Sequence, residues 1–489
     1  MAIESLSQLY CLCILNFLLC KSVKGYFKFV ERPIVPLSAL FIFSKRFLSY
    51  LIIISFLVFF INNPRSVSAG EGDPHGDSST RFHAAGGHEH IYFEHEHLLD
   101  YKLRDTLAAK GLTYDLVGTY DFVTNHDGGF ADTRGSGKDT SISWMTNNDL
   151  TVELDTEAAG LWKNGTFFTY IFYHDGANPT EDYIGDLQMV DNYEAEDGLK
   201  LYEYWYEHTF DLMGTKLSLL AGQHDLNGEF GVTEYGLLFV QSSFGFNAEI
   251  SNNIAVANFP VAALGFRARW DVTDNFYFMT EISDGDPGPN DGGLRPSLST
   301  EEGFVSFNEM VYHYGDVVES STLPGTYKLG WWYHSDEFDD VRDTDADGNA
   351  IVHDGNYGVY FIANQMLLPG EGDTGLGAFL QIGGVPKDRN LVSFYIGGGI
   401  HYKGVFPNRE KDILGLAVAH AQISDDQRDA NNVDGYVTND HETVVELTYK
   451  TQVFPWLAVQ PGVQYIANPG AVDDYDDAVV SILRFQINY

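Results

Sequence analysis

Six charged residues recur at alternating positions within segments patterned like β-strands: Arg267, Arg269, Glu281, Glu203, Glu207 and Lys328. Each sits opposite an apolar neighbour set. Glu203 and Glu207 oppose Tyr202, Tyr204 and Tyr206, and Glu281 opposes Phe278, Thr280 and Ile282. Guanidinium, ammonium and carboxylate groups on one face can donate to and accept from hydroxyl groups without requiring a charged solute. That chemistry is recognition rather than bond making. The same groups can also hydrate and brace a wall, and strand parity does not separate the two roles.

A second constellation is acidic. Asp343, Asp345, Asp347 and Gly348 follow the first half of a calcium loop of the EF-hand type, and Asp354 falls at its twelfth place. Closely spaced oxygen ligands suit a hard cation. The flanks are patterned as strands rather than helices, so a solvated acidic loop is the competing reading. His88, His90, His95 and His97, mixed with Glu89, Glu94 and Glu96, form a third group able to hold a borderline metal, although their spacing matches no closed site. Catalytic signatures do not emerge. There is no Walker loop, zincin motif or nucleophile elbow. Cys11, Cys13 and Cys20 are the chain's three cysteines, so nothing after them is a thiol nucleophile or a disulfide scaffold.

The elements that must position these residues are strands. Alternating segments occupy 111–123, 149–160, 164–175, 201–210, 216–225, 263–272, 276–285 and 303–314. Eight more occupy 325–335, 356–367, 376–386, 390–404, 412–424, 441–453, 457–469 and 477–489. Their count predicts an all-β, sixteen-stranded antiparallel barrel. A short helix over 96–110 precedes it, with Leu99, Leu103 and Leu107 on one stripe and Gly111 as its stop. Connections alternate between short and long, as in a barrel with tight turns at one rim and loops at the other. Residues 315–324 and 387–389 break that rhythm.

Two features place the strands in a membrane. In 263–272, Leu264, Phe266, Ala268 and Trp270 share one face while Arg267 and Arg269 share the other. Charges on the second face suit a water-filled lumen better than a dry sandwich core. In 477–489, Leu483, Phe485, Ile487 and Tyr489 share a face, and a terminal aromatic of this kind is expected to engage outer-membrane assembly machinery.

Residues 1–69 read as a targeting segment. Lys45 and Arg46 precede a fifteen-residue apolar run, Phe47 to Ile61, and Val67-Ser68-Ala69 supplies a cleavage site after Ala69. The expected organisation is a presequence at 1–69, a flexible segment and helix at 70–110, and a barrel at 111–489. The full sequence carries 29 basic and 69 acidic residues, a formal charge of -40. Such a balance disfavours nucleic acid as a partner. The acidic loops at 336–349 and 473–477 should attract cations.

The region 95–489 resembles the carbohydrate-selective porin family of Gram-negative outer membranes. The likeness runs through Leu103-Arg104-Asp105-Thr106-Leu107, Gly111-Leu112-Thr113-Tyr114-Asp115 and Asn148 to Trp162. It is clearest at Ala221-Gly222-Gln223-His224-Asp225-Leu226-Asn227-Gly228-Glu229-Phe230, followed by Ser242-Ser243-Phe244-Gly245 and Pro260 to Trp270. The resemblance implies a sixteen-stranded porin that passes monosaccharides and other small carbohydrates. It also implies that 226–262 folds inward, making Asn227, Glu229, Phe230 and Glu234 constriction residues. Gln223 or His224 stands where the family pattern leads one to expect a basic residue. Expected partners are small carbohydrates, outer-membrane lipid and lipopolysaccharide; no cofactor is required, and calcium is a candidate ligand of the acidic loop. Monomer and trimer both remain open. A general or cation-preferring porin is one alternative, and a secreted β-rich carbohydrate-binding protein or hydrolase is another, since glycoside cleavage needs two carboxylates whose separation a sequence does not show.

Overall fold

The computed structural model describes residues 97–98, 101–130, 142–288, 303–315, 322–434 and 437–489. The targeting segment, the stretch at 70–87, and His88, His90 and His95 lie outside the described residues. A helix, α1, spans Tyr101–Ala108. Gly111 ends it with φ +77°, and a Cβ there would meet the Asp155 carbonyl oxygen at 2.6 Å, so glycine is required both by conformation and by space.

Sixteen strands follow. The first eight are β1 (Leu112–Gly129), β2 (Ile142–Asp155), β3 (Gly165–Gly176), β4 (Gly198–Leu212), β5 (Thr215–His224), β6 (Ala263–Thr273), β7 (Phe276–Asp284) and β8 (Phe304–Tyr314). The second eight are β9 (Gly325–Thr344), β10 (Ala350–Pro369), β11 (Gly375–Gly384), β12 (Val392–Lys403), β13 (Ile413–Ile423), β14 (His441–Phe454), β15 (Leu457–Ala467) and β16 (Asp476–Asn488). Each strand pairs antiparallel with its neighbours, and β1 pairs with β16, closing the barrel. Closure leaves no strand edge, as a sheet in hydrocarbon requires.

The expected sixteen strands are all present. Their bounds differ most where the acidic loop was expected. Residues 336–344 and 350–355 continue β9 and β10 as a hairpin that turns at Asp345–Asn349. Above the membrane both faces of a strand meet water. Alternation of apolar and polar residues is then no longer enforced, and the segment reads as loop although it pairs as a hairpin, with register shifts at 350–352 and 354–356.

Strand parity sorts the two faces as the sequence predicts. On β6, Phe266 and Trp270 are 50% and 43% exposed, whereas Arg267 is 1% exposed. On β9, Leu329 and Tyr333 face outward while Lys328, Trp332 and His334 are buried inside. Large apolar side chains thus cover the outside of the wall, which fits lipid and excludes the water-soluble alternative. A seam clasp completes the ring. Arg104 of α1 donates to the carbonyl oxygens of Tyr114 (2.5 Å) and Tyr489 (2.7 Å), and the Tyr489 amide donates to Leu116. Arg484 of β16 meets Asp121 of β1 at 2.9 Å.

Candidate functional site

Two long connections at the rim opposite the tight turns fold into the barrel: 177–197 between β3 and β4, and 225–262 between β5 and β6. The second begins with a built turn. The Asp225 carboxylate caps it by accepting the Asn227 amide at 2.9 Å, and Tyr202 donates to the same carboxylate at 2.7 Å. The Leu226 amide donates to the Ala257 carbonyl, closing the neck. A four-residue helix, α2 (Ala248–Ser251), lies within this connection.

An inward loop leaves its sheet partners behind, so its backbone groups need others. Inward-facing side chains of the wall supply them. Glu309 on β8 accepts the Gly231 amide at 3.0 Å, and Lys328 on β9 donates to the Val232 carbonyl at 2.7 Å. Asn364 on β10 accepts the Tyr235 amide, and Glu446 on β14 accepts the Val240 and Gln241 amides, both at 2.9 Å. Gln460 on β15 donates to the Leu238 carbonyl. Tyr360 donates to Glu309 at 2.8 Å, and a Cβ on Gly330 would fall 2.0 Å from the Tyr360 ring, so that glycine makes room for the tyrosine.

The shorter loop is held in the same way. Glu442 accepts the amides of Leu187 (2.7 Å) and Gln188 (3.0 Å), and Arg484 donates to Asp191 at 2.9 Å. The two loops also bind one another through Asn192 to Val240 and Ser242 to Met189. Apolar side chains complete the seat. Phe239 and Phe244 pack against Phe379, and Phe230 and Ile250 share a buried cluster with Phe307 and Trp332. Burial also acts on the loop's own acid. Glu249 on α2, fully buried beside Asn247, is pushed up to about 8, chiefly by desolvation.

This arrangement places the sequence candidates in two groups. Arg267, Glu203, Glu207, Glu281 and Lys328 point inward but lie beneath the loop, each at most 4% exposed. Arg267 is held by Glu207 at 3.0 Å, by Glu229 at 2.7 Å and by the Ser218 hydroxyl at 2.8 Å. Glu281 pairs with His224 at 3.3 Å, and Trp205 donates to Glu203 at 3.1 Å. Asn227 and Phe230 are buried inside the loop itself.

The second group meets lumen water. Glu234 is exposed at the loop's inner surface, and Arg269 is half-buried. The Arg269 guanidinium stacks 3.8 Å from the Tyr277 ring centroid and donates to Asp271 at 2.8 Å. His313 lies 5.7 Å from Tyr277, and Tyr235 lies 4.8 Å from His401. Burial, with Glu234 beside it, holds the Tyr235 phenol above its ordinary value. Tyr277, His313, Tyr235 and His401 were not among the sequence candidates. Isolated aromatics and histidines carry no tag that separates a lumen from a girdle. Glu309, Glu442 and Glu446 were missed too, although each occupies an inward position of its strand and parity could have found it.

At the outer rim, Asp343 pairs with Arg342, and Asp345 accepts the amides of Asp347 and Asn349 of its own turn, both at 2.9 Å. Asp354 lies across the ladder from Glu337. Among the described residues, the side chains that do converge are Asp340, His353 and Asp388, whose ligand atoms lie within 4.8 Å of one another. This loose cluster can chelate a divalent ion.

A family model described as carbohydrate-selective porin, OprB family, matches residues 143–489. Porin B of Pseudomonas aeruginosa is 28% identical over 416 residues, covering 78% of this chain and 88% of that protein. A putative porin of Acinetobacter baylyi, QuiX, is 22% identical over 418 residues, covering 79% and 91%. The high-pH structure of Pseudomonas putida OprB superposes with a TM-score of 0.71 at 25% identity, covering 79% of this chain and 96% of that one. With its closed sixteen-stranded wall, apolar outer face and inward loops, the chain belongs to the OprB family of carbohydrate-selective porins and is an outer-membrane barrel of the Gram-negative type.

Proposed function

We propose that this porin passes monosaccharides and other small carbohydrates by passive diffusion, with Arg269, Glu234, Tyr277 and His313 contacting the solute. One observation carries the reading: an inward loop, fixed to the wall, leaves charged and aromatic side chains facing the remaining water. Sugar hydroxyls bond to the charged groups, and an apolar ring face rests on the aromatic. Such contacts are weak enough to let solute leave, which conduction requires. The buried set of Arg267, Glu203, Glu207, Glu281 and Lys328 acts by holding the loop.

Liposome swelling with neutral sugars tests this. Reconstituted protein should accelerate glucose-sized solutes well above protein-free vesicles, and Arg269→Gln with Glu234→Gln should slow them while keeping the barrel folded. Equal swelling with and without protein overturns it. A general or cation-preferring porin is the second reading, favoured by the acidic rim. It is recognised by an ion current that sugars fail to alter.

Processing after Ala69 delivers the chain to the assembly machinery, which reads the closing strand. The wall then sits among outer-membrane lipid and lipopolysaccharide. Calcium at the rim would rest on the turn carboxylates, of which Asp345 is already committed to its own amides.

A further inference from the structure

We propose that Asp340, His353 and Asp388 form a binding site for a borderline divalent cation of the Zn²⁺ type, which ties the β9–β10 hairpin to the 385–391 connection. The three side chains come from β9, β10 and that connection. His353 Nε2 stands 2.9 Å from an Asp340 carboxylate oxygen and 3.9 Å from one of Asp388. One imidazole nitrogen therefore faces two carboxylates from different segments. An ion replacing the proton between them would gain one nitrogen and two oxygen ligands, leaving water for the rest of its coordination.

The donors are held for this purpose by contacts outside the triad. The other Asp340 oxygen accepts the amides of Arg342 (2.9 Å) and Asp343 (2.7 Å), which fixes the carboxylate and directs its free side at His353. Arg389 grips Asp388 at 2.8 Å and the Gly355 carbonyl at 2.8 Å, and the Val341 amide donates to the Asp388 carbonyl. Outer contacts of this kind orient ligands and raise affinity. Arg389 also shares the Asp388 oxygen that an ion needs, at 3.2 Å, so binding must draw that oxygen partly away from the guanidinium. The half-buried setting leaves the ion exchangeable from outside. The nitrogen ligand decides the class. Ca²⁺ and Mg²⁺ prefer oxygen alone, whereas imidazole suits Zn²⁺, Ni²⁺ and Cu²⁺.

This site is separate from the sugar path and does not depend on that reading. The histidine tract at 88–97 is a rival zinc ligand, so the test uses full-length processed protein in which His88, His90, His95 and His97 are alanine. Chelator-stripped protein in detergent is titrated with ZnCl₂ by calorimetry and with CoCl₂ by visible absorption. The expected result is one equivalent bound, with a cobalt d–d band. His353→Ala and Asp388→Asn should each weaken binding roughly tenfold or more, while Asp345→Asn on the same hairpin leaves it unchanged. Equal losses in Asp345→Asn, or Ca²⁺ binding as tightly as Zn²⁺, would show diffuse acidic attraction and overturn the site. Heat-shift electrophoresis reports whether each variant is folded. Should His353→Ala misfold, protection of the hairpin from protease by Zn²⁺ in the otherwise unchanged chain decides the matter: protection supports the site, and none overturns it.

Discussion

Two long segments leave the barrel at the same rim and end in opposite environments. The 225–262 connection turns into the lumen, and the β9–β10 hairpin stands out in water. The difference lies in what each must bury and what each can bond. The inward loop carries Leu226, Phe230, Phe239, Phe244, Phe246 and Ile250, all buried. Removing them from water favours the turn inward. It also strands backbone amides, which Glu309 and Glu446 accept. The hairpin carries mainly acids at its outer positions. Its backbone is satisfied by its ladder, by the Asp340 carboxylate and by the Asp388 carbonyl, and asks nothing of the lumen. In this barrel the inward loop has both an apolar seat and wall side chains that accept its amides.

The largest break in this comparison should come from Arg267→Ala. It removes the guanidinium that both Glu207 and Glu229 meet at the loop's neck, a loss of roughly 3–5 kcal/mol for breaking a buried pair. Urea unfolding in detergent should shift accordingly, and single-channel conductance should rise and become noisy as the loop loosens. Glu446→Ala should cost less, about 1.5–3 kcal/mol, the range for hydrogen bonds to a charged group. Its effect should be local: faster hydrogen exchange at the Val240 and Gln241 amides with the barrel wall unchanged.

Acidity tests the same seat more gently. The buried Glu249 carboxyl is raised to about 8, against about 4.5 when unfolded. Between those values the folded state holds a proton that the unfolded state has released. Stability from this group is therefore fully present below about pH 4.5 and is lost as pH rises toward 8. Exchange protection around α2 should fall over that window, and Glu249→Gln should flatten the profile. The smallest effect should follow from replacing 339–354 with a two-residue Asn-Gly turn. Sugar flux should not change. Cation preference at low salt should drop slightly, and the drop should vanish in high salt, where exposed charges are screened.

Much of this was legible in the sequence. Lipid on one side and polar groups on the other impose a period of two, so the strands and the inward aim of Arg267, Glu281 and Lys328 could be read directly. Parity gives direction, however, and not cover. Nothing local to Arg267 states that residues forty positions away in the chain will lie over it. Nor does parity distinguish Tyr277, beside Arg269 in the lumen, from Tyr333 in the outer belt until the strand's phase is fixed. Ala478, Val480 and Ile482 make part of the inner face of β16 apolar for a related reason: all three are buried in one cluster with Val190 and Leu238 of the inward loops.

The meeting of β1 and β16 sets an order of events. Most neighbouring strands in the wall are joined through short lengths of chain, whereas Asp121 and Arg484 are 363 residues apart. The entropy of joining ends grows with the length between them, so this pair is the natural last step of assembly. Until it forms, the nascent sheet offers two sticky margins to any other chain nearby. A slow final phase in refolding, abolished as a distinct event by linking the two margins covalently, would be the kinetic trace of that late fastening.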